Sequence, residues 1–363
     1  MIQELINRYK RIRTDRFLRQ MYQYSYAFVG MGQHSLANLY PVLHYLGVPL
    51  KYICVTSERK ARLIGQKFPG VTATASLDAM LTDEAVRGVF VSASPSAHFS
   101  IASQVLKSGR SLFIEKPPCQ TLEELDTLIA LQQHGIPEHR SPARTYSPAS
   151  ASPRSLSPVA MVGLQKRYAP AIQLLRQRLG KEHLVSYDLH YLTGPYPEGD
   201  ALLDLYVHPL DLVCFLFGKP DVLATQRVAK DSYLLMLRHQ HVVGTLELSA
   251  AYTWTAAEES LKVCTRAGVY RLRQTEELTF EPGQPTLLGI PTEKIRTMRQ
   301  TTEHLFQRSQ FAPVLTGNQV YTQGFYGEIA SFVSQVESGK CEDAASLKSV
   351  RDTYELIFDI LQK

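Results

Sequence analysis

The stretch from Tyr24 to Ser35 constrains this chain more than any other. An apolar run, Tyr24 to Val29, is long enough for a buried strand and ends in Gly30-Met31-Gly32-Gln33-His34-Ser35. Gly30 permits a tight turn at the strand end, and Gly32 lets the backbone approach a pyrophosphate. The amides at the helix start then face the anion. Ser35 stands where this dinucleotide fingerprint has its third glycine, and it is small enough for close helix–strand packing. A glycine fingerprint means little alone, but this one opens an alternating series, which is the setting it requires. Leu50 to Val55 reads as a strand, and Ser57 is placed to cap a helix over Glu58 to Lys67. Val86 to Ser92 is a strand, Pro95 to Ser108 a helix closed by Gly109, and Ser111 to Ile114 a strand ending at Glu115. A helix from Thr121 to Gln133, closed by Gly135, completes the series. Short apolar strands alternating with helices mean a parallel sheet covered on both faces. Residues 24–137 are therefore expected to form a dinucleotide-binding domain.

The second strand bears on which dinucleotide. A NAD site places an acid at that strand end to accept from the ribose hydroxyls. Here the strand ends Cys54-Val55-Thr56-Ser57, followed by Glu58-Arg59-Lys60. Hydroxyls and two cations stand where an acid would, which suits a 2′-phosphate. NADP is expected over NAD, through Thr56, Ser57, Arg59 and Lys60.

With 363 residues, the chain has room for a second domain. Glu138 to Pro158 breaks the rhythm with six Ser, four Pro and three Arg in 21 residues, and reads as a disordered insertion. Beyond it come Val159 to Tyr168, a helix from Pro170 to Leu179, a strand from Val185 to Tyr191 and a helix from Leu202 to Phe217. Val222–Val228, Ser232–Arg238, His241–Ala250, Ser260–Thr265 and Gly268–Arg273 follow as strands joined by short turns, which indicates an antiparallel sheet. Gly324–Ser338 and Ala345–Gln362 read as closing helices. Residues 159–363 form the second domain on this reading, with the last helix free to pack back on the first.

Residues 1–23 hold Ile2, Leu5, Ile6, Tyr9 and Ile12 at helical spacing. The expectation is an amphipathic helix packed on its own domain, with a membrane-surface or partner helix as the alternative. Charge is nearly balanced, 39 Lys+Arg against 34 Asp+Glu, so bulk charge gives no reason to expect nucleic acid. No run of about 18 apolar residues occurs, so no membrane span is expected. Five cysteines, far apart and without a CxxC pair, fit a reducing, cytoplasmic setting.

Five pieces in order carry a resemblance: the glycine loop, the turn Ala93-Ser94-Pro95-Ser96-Ala97-His98, Glu115-Lys116-Pro117-Pro118, Gly163-Leu164-Gln165-Lys166-Arg167-Tyr168-Ala169-Pro170 and Leu203-Asp204-Leu205-Tyr206-Val207-His208-Pro209-Leu210-Asp211. Together they resemble the Gfo/Idh/MocA oxidoreductases, of the glucose–fructose oxidoreductase and inositol dehydrogenase kind. The resemblance implies an α/β chain with an N-terminal Rossmann parallel sheet and a C-terminal α+β domain carrying an open, mainly antiparallel sheet. It lends the family's lysine role to Lys116 and its Asp-x-x-x-His pair to Asp204 and His208. It also places Ser94, Pro95, His98 and Glu115 toward the cofactor, and Gln165, Arg167, Tyr168, Asp204 and His208 toward a substrate. A homodimer or homotetramer through the C-terminal sheet is implied as well. Two departures stand out: Ser96 replaces an Asn of many relatives, and the insertion directly precedes the stretch that connects the two domains.

The chemistry has its own logic. Asp204 and His208 are four apart, so on a continuous α-helix they share a face. A carboxylate beside an imidazole orients it for acid–base work near neutrality. A lysine at the carboxyl end of a parallel strand points into the cofactor crevice, where its ammonium can polarise an oxygen. No third ligand stands at obvious spacing from Asp204 and His208, so no metal is expected. The expected activity is hydride transfer between NAD(P) and a hydroxyl-bearing carbon of a sugar, polyol or sugar derivative. Lys166, Tyr191, Tyr206 and Trp254 are further candidates for contact with it. The alternative is a nucleotide-binding regulator of the same fold without catalysis.

Overall fold

The computed structural model describes residues 2–18, 21–134, 158–197, 199–284, 286–294, 301–309, 311 and 314–362. The insertion expected over residues 138–158 lies, except for Pro158, outside the described residues. Six strands form a wholly parallel sheet: β1 (Ser25–Val29), β2 (Leu50–Cys54), β3 (Thr72–Thr74), β4 (Val86–Val91), β5 (Ser111–Glu115) and β6 (Ala160–Gly163). Their order is β3-β2-β1-β4-β5-β6, so direction reverses between β1 and β4 and a crevice opens at the carboxyl ends there. Strand alternation sorts the side chains. Tyr26, Phe28, Phe90 and Phe113 share one core, while Ala27, Val29, Val89, Val91, Leu112 and Ile114 share the other. Helices Pro95–Lys107 and Leu122–His134 cover the aliphatic face.

The aromatic face is covered from far along the chain. Helix Phe325–Ser338 sets Phe332 against Phe90 and Phe113, ring centroids 5.0 and 5.8 Å apart. At its far end Glu337 accepts from the Tyr26 hydroxyl at 2.9 Å. The division expected at residue 159 is therefore not a clean cut. β6 completes the first sheet, and a C-terminal helix seals it.

The second sheet has eight strands, β7 (Leu184–Leu192), β8 (Asp221–Ala229), β9 (Ser232–Arg238), β10 (Val243–Ser249), β11 (Glu258–Thr265), β12 (Gly268–Arg273), β13 (Glu277–Pro282) and, after a small ribbon of β14 (Thr286–Leu287) and β15 (Ile290–Pro291), β16 (Glu303–Gln307). Every pairing in it is antiparallel except β7 with β10. Helices Pro170–Leu179, Val207–Phe217 and Arg351–Gln362 back one face, with Phe217 stacked on Tyr187 at 4.4 Å. The other face leaves Leu223, Leu234, Met236 and Val243 exposed.

Two expectations change. Ala201 to Phe217 is not one α-helix. A π-turn over Ala201–Leu205, capped by the Asp200 carboxylate on the amides of Leu202 and Leu203, breaks at Tyr206 before helix Val207–Phe217 begins. Pro209 has no N–H to give the Leu205 carbonyl, so an α-ladder cannot run through this point. The N-terminal helix, Ile2–Leu18, does form, but Ile2, Leu5, Tyr9 and Ile12 are 55–76% exposed rather than packed on the domain. No described helix is long and apolar enough to cross a membrane.

Candidate active site

The first cleft lies at the β1/β4 reversal, about 550 Å³ in volume and lined by residues 30–35, the end of β2 and the start of helix Pro95–Lys107. Gly30 has φ +87°, and a Cβ there would run into the Ser92 carbonyl. At Gly32 an added Cβ meets nothing within 4 Å, so open space stands over the loop where backbone must meet phosphate. Ser35 is fully buried and donates to the Ser92 hydroxyl at 3.0 Å, tying the loop to β4. These features fit a dinucleotide, and no carboxylate lines the cleft among the described residues. Of the residues expected to choose the cofactor, Thr56 and Lys60 line the cleft while Arg59 does not. The Ser57 hydroxyl is occupied as a helix cap, accepting from the Lys60 amide at 3.3 Å.

In the next turn Ser94 lines the cleft, while Pro95 starts the helix beside it. His98 corrects an expectation. It is 1% exposed and faces two carbonyls, Pro117 from Nδ1 at 2.7 Å and Ala93 from Nε2 at 3.1 Å. It braces the cis Lys116–Pro117 turn instead of meeting the nucleotide. Lys116 reaches across from β5, and its Nζ donates to the Asp204 carbonyl at 2.6 Å. Burial lowers its pKa from the usual lysine range, opposed by the charges of Glu115 and Asp204. Glu115 is buried, with Oε1 3.3 Å from His34 Nε2. Glu328, from helix Phe325–Ser338, is fully buried with neither oxygen hydrogen-bonded. Burial, then the charge of Glu115, pushes its pKa well above the ordinary carboxyl range.

Asp204 and His208 do not pair. Neither Asp204 Oδ1 nor His208 Nδ1 has a hydrogen-bond partner, because the π-turn and the break at Tyr206 remove the shared helical face that i, i+4 spacing assumed. Asp204 instead meets Lys116 through its main chain. His208 is held well below the usual imidazole range by burial, then by the charges of Lys116 and Lys166. It is a neutral imidazole.

His208 opens onto a second cleft of about 290 Å³, lined also by Gln165, Lys166, Tyr191, Thr193 and Trp254, and by residues of β11 and the β12–β13 turn. Lys166 is ion-paired with Glu259 and lies 5.1 Å from the centre of the Tyr191 ring. Two expected substrate residues are elsewhere. Arg167 is 4% exposed and forks onto Asp211 at 2.8 and 2.5 Å, with further bonds to Ala344 and Ser349. Tyr168 faces Met161 and the helix carrying Glu328. Tyr206 is also spent in the core, donating to the Asp231 carbonyl.

Residues 24–135 match the model of an oxidoreductase family with an NAD-binding Rossmann fold. Over that domain, the chain is similar to the Gfo/Idh/MocA oxidoreductases. It is 26% identical over 221 residues to YceM of Salmonella typhimurium, named as an oxidoreductase, across 59% of this chain and 64% of that one. It is 31% identical over 154 residues to UDP-N-acetylglucosamine 3-dehydrogenase of Acidithiobacillus ferrooxidans, across 40% of each. The chain thus spans less than two thirds of the length of these curated relatives. A solved levoglucosan dehydrogenase, in complex with NADH and L-sorbose, matches with a TM-score of 0.73 at 15% identity, covering 94% of this chain and 96% of that one. That likeness shows the fold.

Thr193, Glu259, Gln274, Thr275, Gln319 and Gln323 line the second cleft and went unread in the sequence. They come from strand ends, turns and a short helix far apart in the chain, and no local motif marks them.

Proposed function

We propose that this chain is an NAD(P)-dependent dehydrogenase of a sugar or polyol, oxidising or forming a carbon–hydroxyl centre. The observation that carries the reading is a neutral His208 opening onto a cleft rich in polar side chains, within electrostatic reach of Lys116. A bound nicotinamide supplies the site that takes or gives hydride. Residues 30–35 hold the phosphates by backbone, and Thr56 with Lys60 favours a 2′-phosphate, hence NADP. His208 takes the hydroxyl proton as hydride leaves the carbon, which requires an uncharged imidazole. Lys116, released from the Asp204 carbonyl, donates to the same oxygen and stabilises the charge that grows there. Asp204 acts by placing Lys116, not by orienting His208. The names of the two dehydrogenase relatives agree with a sugar substrate. The exposed apolar face of the second sheet suits pairing with a second copy of the chain.

The test is turnover on a sugar and polyol panel, followed at the reduced-nicotinamide absorbance. His208→Ala and Lys116→Ala each lower turnover by roughly two to four orders of magnitude. Cofactor affinity holds in both, and the double variant costs far less than the sum. Because His208 titrates below the ordinary imidazole range, oxidation shows no imidazole limb between about pH 8 and 6.5. Parent-like turnover by His208→Ala overturns the assignment.

A further inference from the structure

The far wall of the second cleft is the turn between β12 and β13, Gln274-Thr275-Glu276. Gln274 and Thr275 stand at φ 48° and 58°, a region costly for a β-branched residue. Thr275 is 3% exposed, lines the cleft, and its hydroxyl has no hydrogen-bond partner. A buried hydroxyl without a partner forfeits a hydrogen bond, and beside a ligand cleft a ligand can restore it.

The charges around it narrow the ligand. Glu258, Glu259 and Glu276 line the cleft against one cation, Lys166, which Glu259 engages. Three carboxylates and one ammonium leave a formal charge of −2, since His208 is neutral. Farther out, Arg308 is bound to Glu276 at 2.5 Å, and Arg273 is accompanied by Glu277. A phosphoryl group brings about −1.5 to −2 more charge to a lining whose one described cation, Lys166, is already paired with Glu259. Hydroxyls, by contrast, can donate to the carboxylates of Glu258, Glu259 and Glu276.

We infer that Thr275 is a substrate-recognising residue, and that its subsite takes a hydroxyl of an unphosphorylated sugar or polyol. This rests on the dehydrogenase reading for what happens to the ligand, but not for where the ligand binds. Trp254 is the only tryptophan of the chain, lines the same cleft and is 55% exposed, so its fluorescence reports occupancy without turnover.

The NADP-loaded protein is titrated with D-glucose, D-glucosamine and myo-inositol, and with glucose 6-phosphate and UDP-glucose. At least one of the first three saturates the Trp254 signal, and neither phosphorylated probe does. Thr275→Gly, which relieves the backbone, raises Tm and weakens the binding roughly 3- to 10-fold, the worth of one neutral hydrogen bond. Thr275→Ser keeps the affinity. Saturation by a phosphorylated probe alone, silence with all five, or unchanged affinity in Thr275→Gly overturns the inference. Saturation without any nicotinamide turnover overturns the dehydrogenase reading and leaves this one standing.

Discussion

The two clefts are built on opposite plans. The cleft at the glycine loop is assembled from strand-to-helix turns within residues 29–101, where a dinucleotide would meet backbone amides. The second cleft draws its wall from Gln165 to Gln323, and that wall is side chains, three of them glutamates. Backbone recognition demands glycine at set places, so it leaves a contiguous mark in the chain. Side-chain recognition demands only that distant residues meet, which many sequences satisfy in many ways. One cleft thus leaves a readable mark in the sequence, and the other does not.

Arg167 gives the comparison its hardest test, because it belongs to a recognisable stretch yet lies away from both clefts. Arg167→Ala strands Asp211 as a buried, unpaired carboxylate. The expected loss is about 3–5 kcal/mol of stability, read by chemical denaturation, with KM of the surviving fold unchanged. A raised KM at parent stability would return Arg167 to the substrate. Next comes Gly32→Val. Its Cβ has free space, so Tm holds while calorimetry shows nucleotide affinity down by about a hundredfold, or about 2.7 kcal/mol. A variant that binds NADP as the parent does would empty the first cleft of its role.

Glu328 probes the seam between the plans. Its folded pKa is raised above the unfolded value by burial and the Glu115 charge, so the folded chain keeps a proton that the unfolded chain releases. The stability tied to that proton is complete below the unfolded carboxyl range and falls as pH rises toward the folded value. Glu328→Gln melts higher than the parent at pH 8, and the difference closes toward pH 4. A constant offset across that range would show that Glu328 does not titrate with folding. The smallest effect belongs to Lys60→Ala, which narrows a preference for NADP over NAD by roughly 3- to 10-fold, the loss of one partly solvated charge contact. Equal affinities in the parent would remove that preference altogether.

Most of the first domain was legible because each strand is a short apolar run with glycine, proline or a cap at its boundary. Helix Glu58–Lys67 and its Ser57 cap stand as expected. Thr72–Thr74 was not, being three residues long with no alternation to read. In the second domain β13 and β16 went unread, the first following its turn too closely and the second, Glu303–Gln307, showing no apolar alternation. Of the residues the sequence singled out, the glycine loop lines the first cleft, His208 lines the second, and Lys116 bonds the Asp204 carbonyl. The Asp204–His208 pair failed because counting four residues presumes an unbroken α-helix, and Pro209 forbids one. His98 and Arg167 failed for another reason: a polar residue inside a motif can serve the loop that carries the chemistry, and sequence does not separate the two duties.

Helix Phe325–Ser338, which closes the aromatic face of the first sheet, sets a timetable for synthesis. β6 leaves the ribosome long before this helix does, Ser338 standing 175 positions beyond Gly163. At about 5–20 residues per second, Phe90 and Phe113 wait roughly 10–35 s for Phe332. During that interval Leu39, Val42 and Leu43 share the aromatic core, while Phe90 and Phe113 lack the cover that Phe332 brings. A nascent-chain release series should find the first domain protease-sensitive until about residue 340 has emerged, and holdase chaperones have their longest opportunity there.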